Sequence, residues 1–150
     1  MHITPLGVEE SSAIYREQNA ILFVMRSGIL RHTLPVAVVY KPFTINQDLK
    51  ALIPNDDIDA YYLFLAAKAF SGQMLKTCMK NGTTVESINT KKLLAFSLPV
   101  ASMEEQKVIS EKLQQLLAKQ QKVMETAEQV LISIDRMKQS ILARAFRGEL

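Results

Sequence analysis

The chain has 150 residues, 18 basic and 15 acidic, for a net charge of +3, and 48% of it is apolar. That is enough for one modest core plus an extended element, and it argues against wholesale disorder. No run of apolar residues approaches the length of a membrane helix, and the opening MHITPLGVEESS has no basic region followed by an apolar stretch, so no secretory leader is expected.

A single cysteine, Cys78, leaves no internal disulfide and suits a reducing, cytoplasmic setting. With only His2 and His32 beside it, a zinc site of the usual spacing is not expected, nor any other metal site. Residues 1–100 carry 10 basic and 8 acidic side chains, and residues 101–150 carry 8 and 7, so neither part is a basic tail.

AILFVM (Ala20–Met25) is a short apolar, partly β-branched run closed by Arg26-Ser27-Gly28, which predicts a buried strand and a turn. LPVAVVY (Leu34–Tyr40), FTIN (Phe43–Asn46) and LKALIP (Leu49–Pro54) predict three more strands, the last stopped by its proline. The period changes at NDDIDAYYLFLAAKAF. Asn55 and Asp56 suit an N-cap, Asp57 and Asp59 a first turn, and Ser71-Gly72 a stop, so a helix is expected over Asn55–Phe70. Tyr61, Tyr62 and Phe64 on it are expected to pack in the core rather than stack on bases. A shorter helix is expected over Gln73–Lys80, a brief strand over Thr84–Ile88, a helical turn over Thr90–Ala95 and a last strand over Phe96–Val100. The first hundred residues thus read as a mixed α+β domain.

Beyond Pro99 the pattern simplifies. Ser102 followed by Glu105 is a capping box, and no proline or glycine interrupts the chain from there to Phe146. Apolar positions recur at alternating three- and four-residue steps: Ile109, Leu113, Leu116, Gln120, Val123, Ala127, Val130, Ile134, Met137 and Ile141. These fit an a/d heptad register with Gln120 as the polar exception, and Leu117, Met124 and Leu131 widen the stripe. The helix would be about 65 Å long and would stop at Gly148. A helix of that length overruns a hundred-residue domain, so a coiled coil with another helix is expected rather than packing against its own domain.

FSLPVASMEEQKVISEKLQQL (Phe96–Leu116) resembles the end of a target-recognition domain in the specificity subunits of type I restriction-modification enzymes, with Pro99, Glu105, Gln106 and Ile109 in the family's places. IDRMKQSILARAFRGEL (Ile134–Leu150) resembles the close of that family's spacer helix, at Gln139, Ser140, Ile141, Leu142, Ala145, Phe146, Gly148 and Leu150. TINQDLKALIP and NGTTVESINTKKLLAFSLP are similar to further stretches of the family, so the resemblance covers about 20–150.

The resemblance implies two recognition domains per subunit, each reading half of a split DNA site, with two long helices paired antiparallel that set the spacing and dock methyltransferase subunits. This sequence holds one such unit and no tryptophan, which the family's strand-rich opening segment usually carries. The expectation is a half-subunit: a recognition domain over 1–100, short at its N-terminus, and a spacer helix over 101–150. A second copy of the chain could then supply the other helix through an isologous contact.

Binding to double-stranded DNA requires Lys and Arg at phosphates and side chains at base edges. Arg26, Ser27, Arg31 and His32 surround Gly28, a glycine that would let the backbone come close, and Lys80 and Thr83 occupy an Asn-Gly loop. Lys91 and Lys92 are a basic pair at a helix start. These are the candidate DNA contacts; each loop is equally compatible with a solvated turn.

No catalytic residue is expected. The Asp/Asn-Pro-Pro-aromatic tetrapeptide and glycine-rich cofactor loop of an amine methyltransferase are missing, as is a Walker loop. Glu105-Gln106-Lys107 has nuclease-like spacing but opens a helix, and Asp56, Asp57 and Asp59 belong to a helix start. No cofactor is expected in this chain; S-adenosylmethionine would come with the methyltransferase partner. The rival reading is a coiled-coil assembly subunit without DNA affinity. Basic residues gathered on one concave face would favour DNA binding, and scattered ones the rival.

Overall fold

A computed structural model describes residues 4–11, 13–16, 19–80 and 84–150. Its core grows from the run Ala20–Val24 (β2), the middle strand of a three-stranded antiparallel sheet between Val36–Val39 (β3) and Leu49–Leu52 (β5). The registers place Ile21 opposite Val38 and Leu52, and Phe23 opposite Val36 and Lys50. Along this segment Ile21, Phe23 and Met25 alternate into the interior, where burial of each contributes about 2 kcal/mol. Phe43–Ile45 (β4) leaves this sheet and pairs antiparallel with Ile14–Arg16 (β1), a strand that follows the short helix Pro5–Glu9 (α1).

Ala60–Ala69 (α2) covers β2 and β3, and Ser71–Cys78 (α3) and Thr90–Leu94 (α4) complete the layer. Ala60, Ala67, Met74, Cys78, Ile88 and Leu93 join the strand residues in one core, with Leu63 and Phe64 packed against it. Tyr62 is buried, and its hydroxyl donates to the Pro99 carbonyl at 3.1 Å. Of the α2 aromatics, Tyr62 and Phe64 face the core as expected, whereas Tyr61 is half-buried outside it with its ring 5.7 Å from that of Phe64; the fold class is α+β.

Several boundaries differ from the sequence expectation. The α2 helix starts at Ala60 rather than Asn55, because Asp59 is the N-cap: its carboxylate accepts from the Tyr62 amide at 2.8 Å. Ser71-Gly72 does not end the helical path. Phe70 closes α2, and Ser71 opens α3 directly after it. That helix stops at Cys78 rather than Lys80, since Met79 turns extended to bridge Ile88.

The strand expected over Thr84–Ile88 is reduced to two isolated bridges, Arg26 with Ser87 and Met79 with Ile88. Here the chain passes between two other segments and bonds to each in turn, so no ladder propagates. The strand expected over Phe96–Val100 is absent. No neighbouring strand is aligned with it, and Pro99 has no amide to donate. Phe96 and Leu98 still pack on the core, and the Phe96 ring meets Phe70 edge-on at 6.4 Å.

The helix Met103–Phe146 (α5) runs unbroken for 44 residues. Its start is the expected capping box. The Ser102 amide and hydroxyl donate to Glu105 Oε2 at 3.0 and 2.7 Å, and the Glu105 amide donates back to the hydroxyl at 3.4 Å. These bonds hold the Glu105 carboxyl below its ordinary range. At the other end Gly148, at φ +72°, forms a Schellman stop: its amide donates to the Ala145 carbonyl, and the Glu149 amide to that of Arg144.

The chain divides into two compact units, residues 1–110 and 111–150, with the first turns of α5 in the first unit. Every residue from Glu111 to Leu150 is exposed, including Leu113, Leu116, Val123, Val130, Ile134, Met137 and Ile141.

Candidate nucleic-acid interface

The segment Glu86–Asn89 is the keystone of the candidate site. It lies between the end of β2 and the end of α3, held by alternate backbone bonds. The Ser27 amide donates to the Glu86 carbonyl (3.1 Å) and the Ile88 amide to that of Met25 (2.8 Å). On the other side, the Lys80 amide donates to the Ser87 carbonyl (2.9 Å) and the Asn89 amide to that of Cys78 (2.7 Å). Arg26 and Lys80, 54 positions apart in the chain, are thereby brought to one cleft of about 490 Å³.

Gln47, Thr84, Ser87 and Thr90 line that cleft with them, beside Met25, Val85 and Ile88. Its described lining therefore holds two cations and no carboxylate. Arg26 and Lys80 are exposed and make no ion pair among the described residues. Such a surface favours an anion, and hydroxyl and amide side chains accompany the charge.

The other sequence candidates take different roles. Arg31 Nε donates to Glu86 Oε1 at 2.6 Å, and this bond, the largest influence, holds the Glu86 carboxyl below its ordinary range. Its cation is therefore already committed, though it remains exposed. The Ser27 hydroxyl accepts from the Ile29 amide and caps the 3₁₀ turn Gly28–Arg31, which buries Leu30. His32 closes that turn and is exposed.

Gly28 has no close neighbour, so no tight backbone approach requires a glycine there. Lys91 and Lys92 stand exposed on α4, their amides bonded to the Asn89 side chain, immediately after the cleft residue Thr90. Thr83 lies outside the described residues. Of the five basic candidates, the structure gathers Arg26 and Lys80, ties Arg31 to Glu86 and leaves Lys91 and Lys92 along the adjoining helix.

Gln47 was not singled out by sequence reasoning; the polar turn between two strand-like runs was its only signal. It also lines a second cleft of about 460 Å³, with Arg16, Asn46 and Lys50 as the polar lining and no carboxylate among the described lining residues. Among the described residues no three His, Cys, Asp or Glu side chains meet as a metal site. Asp59 serves as a helix cap, while Asp56 and Asp57 are exposed.

Gln106 has a role that spacing alone could not reveal. Its side chain is fully buried. Nε2 donates to the carbonyls of Asp57 (3.0 Å) and Ala101 (2.9 Å), and Oε1 accepts from the Asp59 amide (2.8 Å). Both donor hydrogens and the acceptor oxygen are engaged, and the first turn of α5 is tied to the residues that cap α2.

These features belong to a DNA-specificity domain: residues 2–131 match the type I restriction modification DNA specificity domain, and the chain is a member of that family. It is 38% identical over 110 residues to the EcoR124I/EcoR124II specificity subunit of Escherichia coli, covering 73% of this chain and 27% of that protein. The EcoBI specificity subunit of Escherichia coli is 29% identical over 127 residues, 83% of this chain and 25% of that protein. The EcoDI specificity subunit, also of Escherichia coli, is 30% identical over 96 residues, 64% and 22% respectively. The chain thus spans about a quarter of the length of these relatives. No helix among the described residues is long and apolar enough to cross a membrane.

Proposed function

We propose that this chain is a cytoplasmic, non-catalytic DNA-specificity module of a type I restriction-modification system. Residues 1–100 form the recognition domain and engage double-stranded DNA; residues 101–150 form the spacer helix. The helix pairs antiparallel with a second specificity helix, that of another copy when this chain acts alone, through Ile109, Leu113, Leu116, Gln120, Val123, Ala127, Val130, Ile134, Met137 and Ile141. The pair presents the methyltransferase subunit, which brings S-adenosylmethionine, and through it the restriction subunit, so the chain's contribution to the chemistry is positioning.

The observation that carries this reading is the family match, which runs without a break from the domain into the helix. Two features support it. The cleft of Arg26 and Lys80 has no carboxylate in its described lining, and the α5 stripe exposes side chains that would each contribute about 1.5–3 kcal/mol if covered.

Fluorescence anisotropy of a random-sequence duplex, titrated at low and at moderate salt, tests the DNA half; mass measured in parallel tests the helix half. Salt-sensitive binding by a species of twice the 16.9 kDa chain mass is expected. Arg26→Gln and Lys80→Gln should each lower the log–log salt slope by about one. A dimer with no DNA affinity at low salt would leave only an assembly subunit.

A further inference from the structure

Among the described residues, Gln47 alone lines both clefts, with Arg26 and Lys80 in the first and Arg16 and Lys50 in the second. The turn that carries it, between β4 and β5, is tied down on both sides. The Asp48 amide donates to Asn46 Oδ1 at 3.1 Å, the Leu49 amide to the Asn46 carbonyl at 3.3 Å, and the Met25 amide to the Asp48 carbonyl at 2.7 Å. Asn46 spends its side-chain oxygen on this turn. Gln47 has an exposed side chain that makes no hydrogen bond among the described residues. Its amide is thus held on a fixed backbone with donor and acceptor both unengaged by the described residues.

The charges around it are one-sided. Arg16 and Lys50 flank Gln47 in one cleft and Arg26 and Lys80 in the other, with no carboxylate in the described lining of either. Among the described residues two carboxylates neighbour the clefts. Asp48 is half-buried at the turn and lines neither cleft, and Glu86 is occupied by Arg31. A free amide between two pairs of cations matches what duplex recognition requires: cations placed for phosphates on either side, and a bidentate group at a base edge between them.

We infer that Gln47 is the base-reading residue of this domain, its amide paired with the N6/N7 edge of an adenine in the major groove. Arg16 and Lys50 hold phosphates on one side of it, as Arg26 and Lys80 do on the other. This rests on the DNA reading proposed above and adds three residues to it.

The test is selection of bound duplexes from a randomised library by the full chain, followed by affinity measurements over a salt series. The wild type should select an adenine at a position where Gln47→Ala loses about tenfold discrimination, with an unchanged thermal midpoint and little change in affinity for random duplex. Arg16→Gln and Lys50→Gln should weaken binding to all sequences alike, each lowering the salt slope by about one. If Gln47→Ala selects the wild-type motif unaltered, or the wild type binds without sequence preference, the base-reading role is overturned and the DNA reading survives. If the wild type binds no duplex at low salt, the DNA reading itself fails and this inference with it.

Discussion

Replacing Gln106 by methionine keeps nearly the same volume and removes every hydrogen bond the side chain makes. Three backbone groups lose their partner: the Asp59 amide and the carbonyls of Asp57 and Ala101. An unsatisfied buried backbone group costs about 1–3 kcal/mol. Asp57 is itself exposed and Asp59 half-buried, so water can reach part of this cluster and the lower end applies, for a loss of about 3 kcal/mol. For a unit of residues 1–110 this corresponds to a fall in melting temperature on the order of 10 °C.

Gln106→Glu should be worse at neutral pH, because a carboxylate oxygen would face the two carbonyls that now accept from Nε2, and it should recover in acid as that oxygen gains a proton. Urea unfolding followed by tyrosine fluorescence reports on the first unit through Tyr62 without interference from the long helix. A loss below about 1 kcal/mol for Gln106→Met, with an unchanged slope, would refute the claim that these three bonds fasten the start of α5.

The Arg31–Glu86 pair makes a pH prediction with a definite sign. Glu86 is held below its ordinary value of 4.5, so its stabilising effect is present above that pH and is lost as pH falls through the lower folded value. Glu86→Gln should flatten the acid limb of the unfolding curve, leaving the contribution of Glu105, which is shifted in the same direction. Acid titration of the urea midpoint reads this; identical acid limbs would show the pair is not made in solution. On the helix, Val123→Asp puts a charge in the centre of the exposed stripe. It should convert the dimer proposed above to monomer by analytical ultracentrifugation while leaving the urea midpoint of the first unit unchanged. A persisting dimer would mean that the copies meet elsewhere.

How much was legible in the sequence follows from the range of the interactions involved. The helix α5 was readable from end to end because its signals are local. The 3–4 stripe, the Ser102–Glu105 box and the left-handed Gly148 stop each involve residues within five positions of one another. Strands β2 to β4 announced themselves through β-branched and aromatic runs, and β5 through an apolar stretch closed by Pro54. The start of α2 was misplaced because Asn55, Asp56 and Asp59 are all capable caps, and the choice fell to the residue whose backbone Gln106 grips from 47 positions away.

Composition and local period, then, determined the class of this protein: a small α+β domain followed by one uninterrupted helix with an apolar stripe. Tertiary structure alone decided which side chains share a surface. Whether Thr84–Ile88 and Phe96–Val100 became strands depended on neighbours that no local pattern encodes, and the first found only two bridging partners. Arg26 and Lys80 share a cleft because backbone bonds from Glu86–Asn89 draw the end of β2 and the end of α3 together, and Gln47 joins them because the Met25 amide holds the Asp48 carbonyl of its turn. Arg31, which the sequence offers on the same terms as Arg26, is bound to Glu86. A strand pairs and a cation stays free according to what the rest of the chain places beside it, and that is a property of the fold rather than of any segment.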